Sequence, residues 1–157
     1  MKANIGLSDQ QRGAVVKILN TLLADEFVLY TKTRRFHWNV VGPDFSELHK
    51  FFEGQYEALD DIVDEVAERA RALDGLAGGS LAEFAQWTRL QENPGENPNE
   101  KGMLAELLAD HETIIRALRE DAVTVNDQHG DIGTNDFLTG LLEQHEKMAW
   151  MLRAYLK

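Results

Sequence analysis

The run from Arg35 to Arg69 constrains this chain most, because two histidines and three carboxylates recur there at helical spacing around one Gly42-Pro43 turn. Proline removes a helical donor and clashes with the preceding turn, so the helix carrying His37 ends here. After Asp44 a 3.6-residue rhythm resumes, and Phe45, Leu48, Phe52, Tyr56, Leu59, Val63 and Val66 are predicted to form one stripe. His37 thus closes one helix and His49 opens the next. Folding back at the turn would bring the two imidazoles together. Glu53, one turn beyond His49, would share its face. Neutral imidazole with carboxylate suits iron, zinc or manganese.

Asp64 and Glu68 form a second i, i+4 carboxylate pair on the same predicted helix, but they lie well beyond His49. At the rise of an α-helix the gap from His49 to Asp64 is about 22 Å. One chain cannot close a single metal site from both ends of a straight helix. Two chains can, if the helix packs antiparallel to its own copy across a two-fold axis, giving two equivalent sites per dimer. The other arrangement uses one end alone and leaves the remaining carboxylates solvated. Glu57, Asp60, Asp61 and Glu65 read as the solvated face of a charge-rich helix.

At 157 residues the chain is expected to be a single domain, 1–157, with a short N-terminal tail, 1–7. Ser8-x-x-Gln11 is a capping box opening a first helix to about Trp38, and the second is predicted from about Phe45 to Leu73. Two long helices joined by a short turn pack as an antiparallel hairpin. Ser80-x-x-Glu83 caps a short helix to about Trp87, and residues 91–102, with Pro94, Gly95 and Pro98, read as loop. A third helix is predicted from about Lys101 to Asn126, a turn over Asp127–Gly133, and a fourth helix from about Asn135 to Leu156. The expected fold is all-α: a ferritin-like four-helix bundle with a short helix in the long crossover between the second and third helices.

The net charge of −11 disfavours nonspecific binding to nucleic acid or anionic membrane and suits cations. There is no cysteine, so thiolate sites and disulfides are excluded, which is compatible with a reducing cytoplasm. With no run of eighteen apolar residues and no signal-like segment, a cytoplasmic protein is expected.

The same residues carry a resemblance. His37-Trp38-Asn39, Gly42-Pro43, Phe45, Leu48-His49, Asp64 and Ala67-Glu68-Arg69 are similar to the signature of the Dps family, the mini-ferritins also called DNA-binding proteins from starved cells. The resemblance covers nearly the whole chain. It implies a hollow homo-dodecamer built from two-fold dimers, with a di-iron ferroxidase site between subunits. His37, His49 and Glu53 would come from one subunit, and Asp64 and Glu68 from its neighbour. Two irons per site would be oxidised, preferably by hydrogen peroxide, and ferric iron stored in the cavity, with zinc or manganese as possible substitutes. Glu53 departs from the family pattern, which commonly has Asp there. DNA binding in such proteins is attributed to a lysine-rich terminal extension, and the tail here offers only Lys2. The alternative functions are a DNA-compacting structural protein and a metal-binding shell without oxidase activity.

Four further groups carry expectations. Trp38, beside His37, reads as a buried aromatic at the helix end; the resemblance adds electron donation during oxidation. Trp87 and Trp150 read as packing residues. Asp127, Asp131 and Asp136 around the last turn suit capping, and the resemblance makes them the lining of three-fold pores that admit Fe(II). His111 and His145 lie on apolar stripes, where facing helices could place them together. No Glu-x-x-His pair exists, since Arg34, Ser46, Leu108, Asn126 and Leu142 stand three residues before the five histidines. That argues against a metal site inside one bundle and makes His111 and His145 hydrogen-bonded core or interface residues. Arg69 is expected to steady Glu68.

Overall fold

A computed structural model describes residues 3–157; Met1 and Lys2, and with Lys2 the lysine expected of the tail, lie outside the described residues. Five helices follow in order, α1 (Asp9–Asn39), α2 (Phe45–Ala72), α3 (Leu81–Trp87), α4 (Glu100–His129) and α5 (Ile132–Tyr155), and no strand occurs among the described residues. The helices α1 and α2 form one antiparallel hairpin and α4 and α5 the other, with α1 packed on α4 and α3 lying against α1. Both expected capping boxes are formed, Ser8 with Gln11 on α1 and Ser80 with Glu83 on α3. In each, two otherwise orphaned backbone N–H groups are satisfied reciprocally.

The turn between α4 and α5 is shorter than the sequence suggested. Residues 127–129 stay helical because nothing before Gly130 breaks the pattern, and Gly130 takes the left-handed conformation (φ 65°) that ends α4. Asp131 then caps α5 directly, its carboxylate accepting from the Thr134 amide, so the connection is only two residues long.

On α2 the buried face is Leu48, Phe52, Gln55, Leu59, Ile62, Val66 and Ala70. It is rotated slightly from the predicted stripe: Tyr56 and Val63 sit half-buried at its margin, and Phe45 is exposed. Phe36, Leu19, Leu22 and Leu29 of α1 meet this face with Leu107, Ile114 and Leu118 of α4 and Leu138, Leu141 and Leu152 of α5. Each such side chain contributes about 1.5–3 kcal/mol by leaving water. Trp87 packs over Gly78, where a Cβ would meet its ring at 2.3 Å. Trp150, expected to pack, is exposed on the subunit surface.

Two buried clusters hold the crossover against α1. Lys32 Nζ donates to the Gln91 carbonyl (2.6 Å) and to Asp110 of α4 (2.6 Å), with Glu106 at 3.1 Å. Two turns earlier, the fully buried Asp25 accepts from Thr88 Oγ1, the Arg89 amide and Arg89 Nε, and Arg89 reaches on to Asp121 of α4. Among the described residues no helix is long and apolar enough to cross a membrane.

Candidate metal centre

The Gly42-Pro43 turn sets the end of α1 against the start of α2 and places His37 on His49. Their rings stack with centroids 3.7 Å apart and planes 20° from parallel. Each ring bonds the other residue's backbone: His37 Nδ1 lies 2.8 Å from the His49 carbonyl oxygen, and His49 Nδ1 lies 2.9 Å from that of His37. A carbonyl only accepts, so both Nδ1 atoms carry the hydrogen, and in the neutral tautomer that this selects the Nε2 atoms are the ones with a lone pair for a metal. His37 belongs to the last turn of α1, where carbonyls lack a helical partner, so one of these bonds also caps the helix. Metal-binding histidines usually have their second nitrogen held in this way, by a carbonyl or a carboxylate. The two imidazoles fit a borderline transition metal such as Fe(II) or zinc, whereas Glu53, half-buried one turn beyond His49, is not gathered with them into a three-ligand group among the described residues of the one subunit.

Asp64 and Glu68 are exposed at the far end of the same unbroken helix, about 22 Å from His49 by helical rise. Among the described residues, no three histidine or acidic side chains of one subunit come together as a metal site. Each subunit thus presents imidazoles at one end of α2 and carboxylates at the other.

An aromatic cluster borders the histidines. Tyr56 stands edge-on to His37 (centroids 5.2 Å, 74°) and Tyr30 edge-on to Tyr56 (6.2 Å, 81°). The Arg34 guanidinium lies 5.3 Å from the Tyr56 ring, 5.6 Å from Trp38 and 5.7 Å from Tyr30, and it also donates to the Tyr30 hydroxyl. Trp38, expected to be buried, is 65% exposed on the subunit. Tyr56 was legible only as a stripe residue, and Arg34 and Tyr30 gave no signal in the sequence.

The acidic residues near the last turn part company. Asp127 and Asp136 are exposed, whereas Asp131 is 5% exposed and its oxygens are taken by the Thr134 amide and hydroxyl and by Arg69. Arg69 consequently points at the α4–α5 turn, with Nε donating to Thr134 (2.9 Å), rather than steadying Glu68 as its position beside Glu68 suggested.

Inside the bundle His111 and His145 do meet, and they are joined by a residue the sequence reading missed. Glu26 of α1 lies 2.9 Å from His145 Nε2, and all three side chains are fully buried. An acidic side chain surrounded by Leu22, Leu23 and Leu29 was the available signal.

Two long helical hairpins, a crossover carrying a short helix, and histidines and carboxylates on the paired helices define a ferritin-like protein, and the Ferritin-like domain model matches residues 16–157. The chain is 47% identical to an uncharacterized low temperature-induced protein of a Nostoc species, over 99% of this chain and 87% of that one. It is 36% identical to DNA protection during starvation protein 2 of Bacillus anthracis, over 90% and 96% of the two chains. Among solved structures it superposes on a Dps protein from Vibrio cholerae, described as one of a broad superfamily of ferritin-like diiron-carboxylate proteins. The TM-score is 0.92 at 30% identity, covering 100% of this chain and 98% of that one. The chain belongs to the Dps family of mini-ferritins, whose general function is iron storage and protection against oxidative damage.

Proposed function

We propose that this protein is a ferroxidase of the Dps type that oxidises Fe(II), preferably with hydrogen peroxide, at di-iron sites shared between two-fold-related subunits of a dodecamer. The observation that carries the reading is the reciprocal His37–His49 lock at one end of α2, with the exposed Asp64–Glu68 pair at the other. An antiparallel pairing of two α2 helices brings each imidazole pair to the partner's carboxylates and yields two equivalent sites. His37, His49 and Glu53 hold iron from one side, and Asp64 and Glu68 from the other. Zinc or manganese would suit the same donors.

Two Fe(II) supply the two electrons that, with two protons, reduce one peroxide to two waters, so no hydroxyl radical is released. The exposed Asp127 and Asp136 are the proposed pore residues for Fe(II) entry, with Asp131 fixing the turn that presents them. Ferric product then accumulates in the cavity, and the removal of Fe(II) with peroxide limits radical damage. With a net charge of −11, DNA compaction is the weaker reading, since phosphate binding depends on positive charge.

Stopped-flow mixing of anaerobic Fe(II)-loaded protein with peroxide, and separately with air-saturated buffer, tests the reading. Fast peroxide-driven oxidation with little trapped hydroxyl radical is expected. Stoichiometric Fe(II) uptake with oxidation no faster than in protein-free buffer would leave a metal-binding shell instead.

A further inference from the structure

The helices α2 and α5 touch over little of their length and leave a cleft of 420 Å³ between them. That is the size of a small-molecule site. Its walls are apolar, with Phe51 and Ala58 from α2 and Met148 and Met151 from α5, and two exposed lysines, Lys50 and Lys147, also line it. Around α2 these residues are turned by about 120° from the face that carries His49, Glu53, Asp64 and Glu68. Antiparallel pairing of two α2 helices through that face therefore does not itself cover the cleft.

Two residues of the cleft wall have no use within the subunit that explains them. Gln55 is only 2% exposed, and its Nε2 donates to the Met148 carbonyl at 3.3 Å, so Oε1 is left buried without a hydrogen-bond partner. An acceptor left in that state is costly. The bond to Met148 is long and the terminal torsion of glutamine is broad, so the amide can turn Oε1 toward a donor in the cleft. Gly54 weakens the middle of α2 relative to alanine, yet a Cβ there would meet nothing within 4 Å, so packing inside the subunit does not require glycine. On the cleft wall its missing side chain lets a flat group approach the backbone.

We propose that this cleft binds a small aromatic carboxylate bearing a hydroxyl group. The ring lies over Gly54 between Phe51 and the thioethers of Met148 and Met151, since sulfur and aromatic faces make favourable partners for a ring. The carboxylate meets Lys50 and Lys147, two cations gathered at one place on a chain of net charge −11. The hydroxyl donates to Gln55 Oε1, which can only accept. A metal cation is the poorer occupant, because the same two ammonium groups repel it. The site stands apart from the iron ligands and does not rest on the ferroxidase reading.

The test is fluorescence titration of the assembled protein with three probes: a hydroxynaphthoate with its hydroxyl and carboxylate on opposite rings, naphthoate, and naphthol. The hydroxynaphthoate should bind saturably, and each of the other two should bind about tenfold more weakly, for want of one hydrogen bond or of the charge. In Gln55→Leu the hydroxynaphthoate should fall to the affinity of naphthoate, which itself changes little. Lys50→Gln combined with Lys147→Gln should weaken both acids and leave naphthol unchanged. Gly54→Leu should abolish binding of all three probes by filling the cleft, with the unfolding midpoint read alongside to show that the fold is intact; the Gln55 and lysine variants decide the matter if that variant does not fold. A hydroxynaphthoate that binds no tighter than naphthoate means that water serves Gln55 and overturns the hydroxyl contact. Naphthol binding as tightly as the acids overturns the choice of an anion. Parent affinity in a folded Gly54→Leu, or no saturable binding of any probe because another subunit fills the cleft, overturns the site.

Discussion

His111 and His145 meet nitrogen to nitrogen in the middle of the bundle, their Nδ1 atoms 2.9 Å apart. Glu26 Oε1 approaches the other nitrogen of His145 at 2.9 Å, so a carboxylate and two imidazoles from α1, α5 and α4 form one line. A carboxylate only accepts, so His145 donates to it through Nε2. His111 is held well below the ordinary histidine pKa, by burial first and by the charge on His145 second, and stays neutral.

Removing the carboxylate should be severe. Glu26→Ala leaves the His145 Nε2–H buried without its acceptor, and an unsatisfied buried donor costs about 1–3 kcal/mol. Urea unfolding at fixed protein concentration near neutral pH should show the midpoint fall accordingly. An unchanged midpoint would mean that the line adds little to stability.

The same line gives a pH dependence. Because the folded-state pKa of His111 is depressed, the unfolded chain binds a proton that the folded chain refuses. Stability from this group is complete above the unfolded value of 6.5 and is lost as pH falls below it, down to the folded-state pKa. The limiting slope is about 1.4 kcal/mol per pH unit for one proton. His111→Asn should flatten the slope between pH 6.5 and 5, read from unfolding midpoints at stepped pH.

Gly42 should be sensitive although it touches no metal ligand. Its φ of 137° is one that side-chain-bearing residues rarely adopt, and an added Cβ would lie 2.3 Å from Glu100 Oε1. The Glu100 carboxylate can swing aside, but the backbone strain stays, at about 1–3 kcal/mol. Gly42→Ala should lower the unfolding free energy by that amount and weaken Co(II) binding at the His37–His49 pair, because the turn is what brings the rings together.

The shared-site reading predicts complementation. Assemblies made only of His49→Ala subunits, or only of Asp64→Ala subunits, should lose fast iron oxidation. Hybrids reassembled from the two should regain part of it, since some two-fold interfaces then pair an intact imidazole end with an intact carboxylate end. Verified hybrids that stay inactive would rule out a site built from two chains.

Much of this architecture was legible in the sequence because it is written in local chemistry. Ser8-x-x-Gln11 and Ser80-x-x-Glu83 state where helices begin, and Gly42-Pro43 states where one stops. The α4 end was misplaced because polar residues 127–129 resemble a turn, while only Gly130 has the backbone freedom to make one. His37 and His49 could be paired from spacing, but their exchange of Nδ1 bonds with each other's carbonyls could not, since it depends on the turn geometry. Glu26 and the Arg34 cluster were hidden for a different reason. Burial against another helix assigns their roles, and a charged residue in a helical pattern reads by default as solvated.

Asp25 and Lys32, two turns apart on α1, each take hold of one point on the crossover and reach through or past it to α4, with Arg89 and Gln91 as the points held. The exposed stretch beyond, residues 92–97, is thereby relieved of tethering the two hairpins to each other. A protease cut near Gly95 should leave both fragments associated, and a circular permutant with its new ends there should still fold. The longest connection in the chain works as a belt buckled at two places, and its free loop can be severed without loosening the waist.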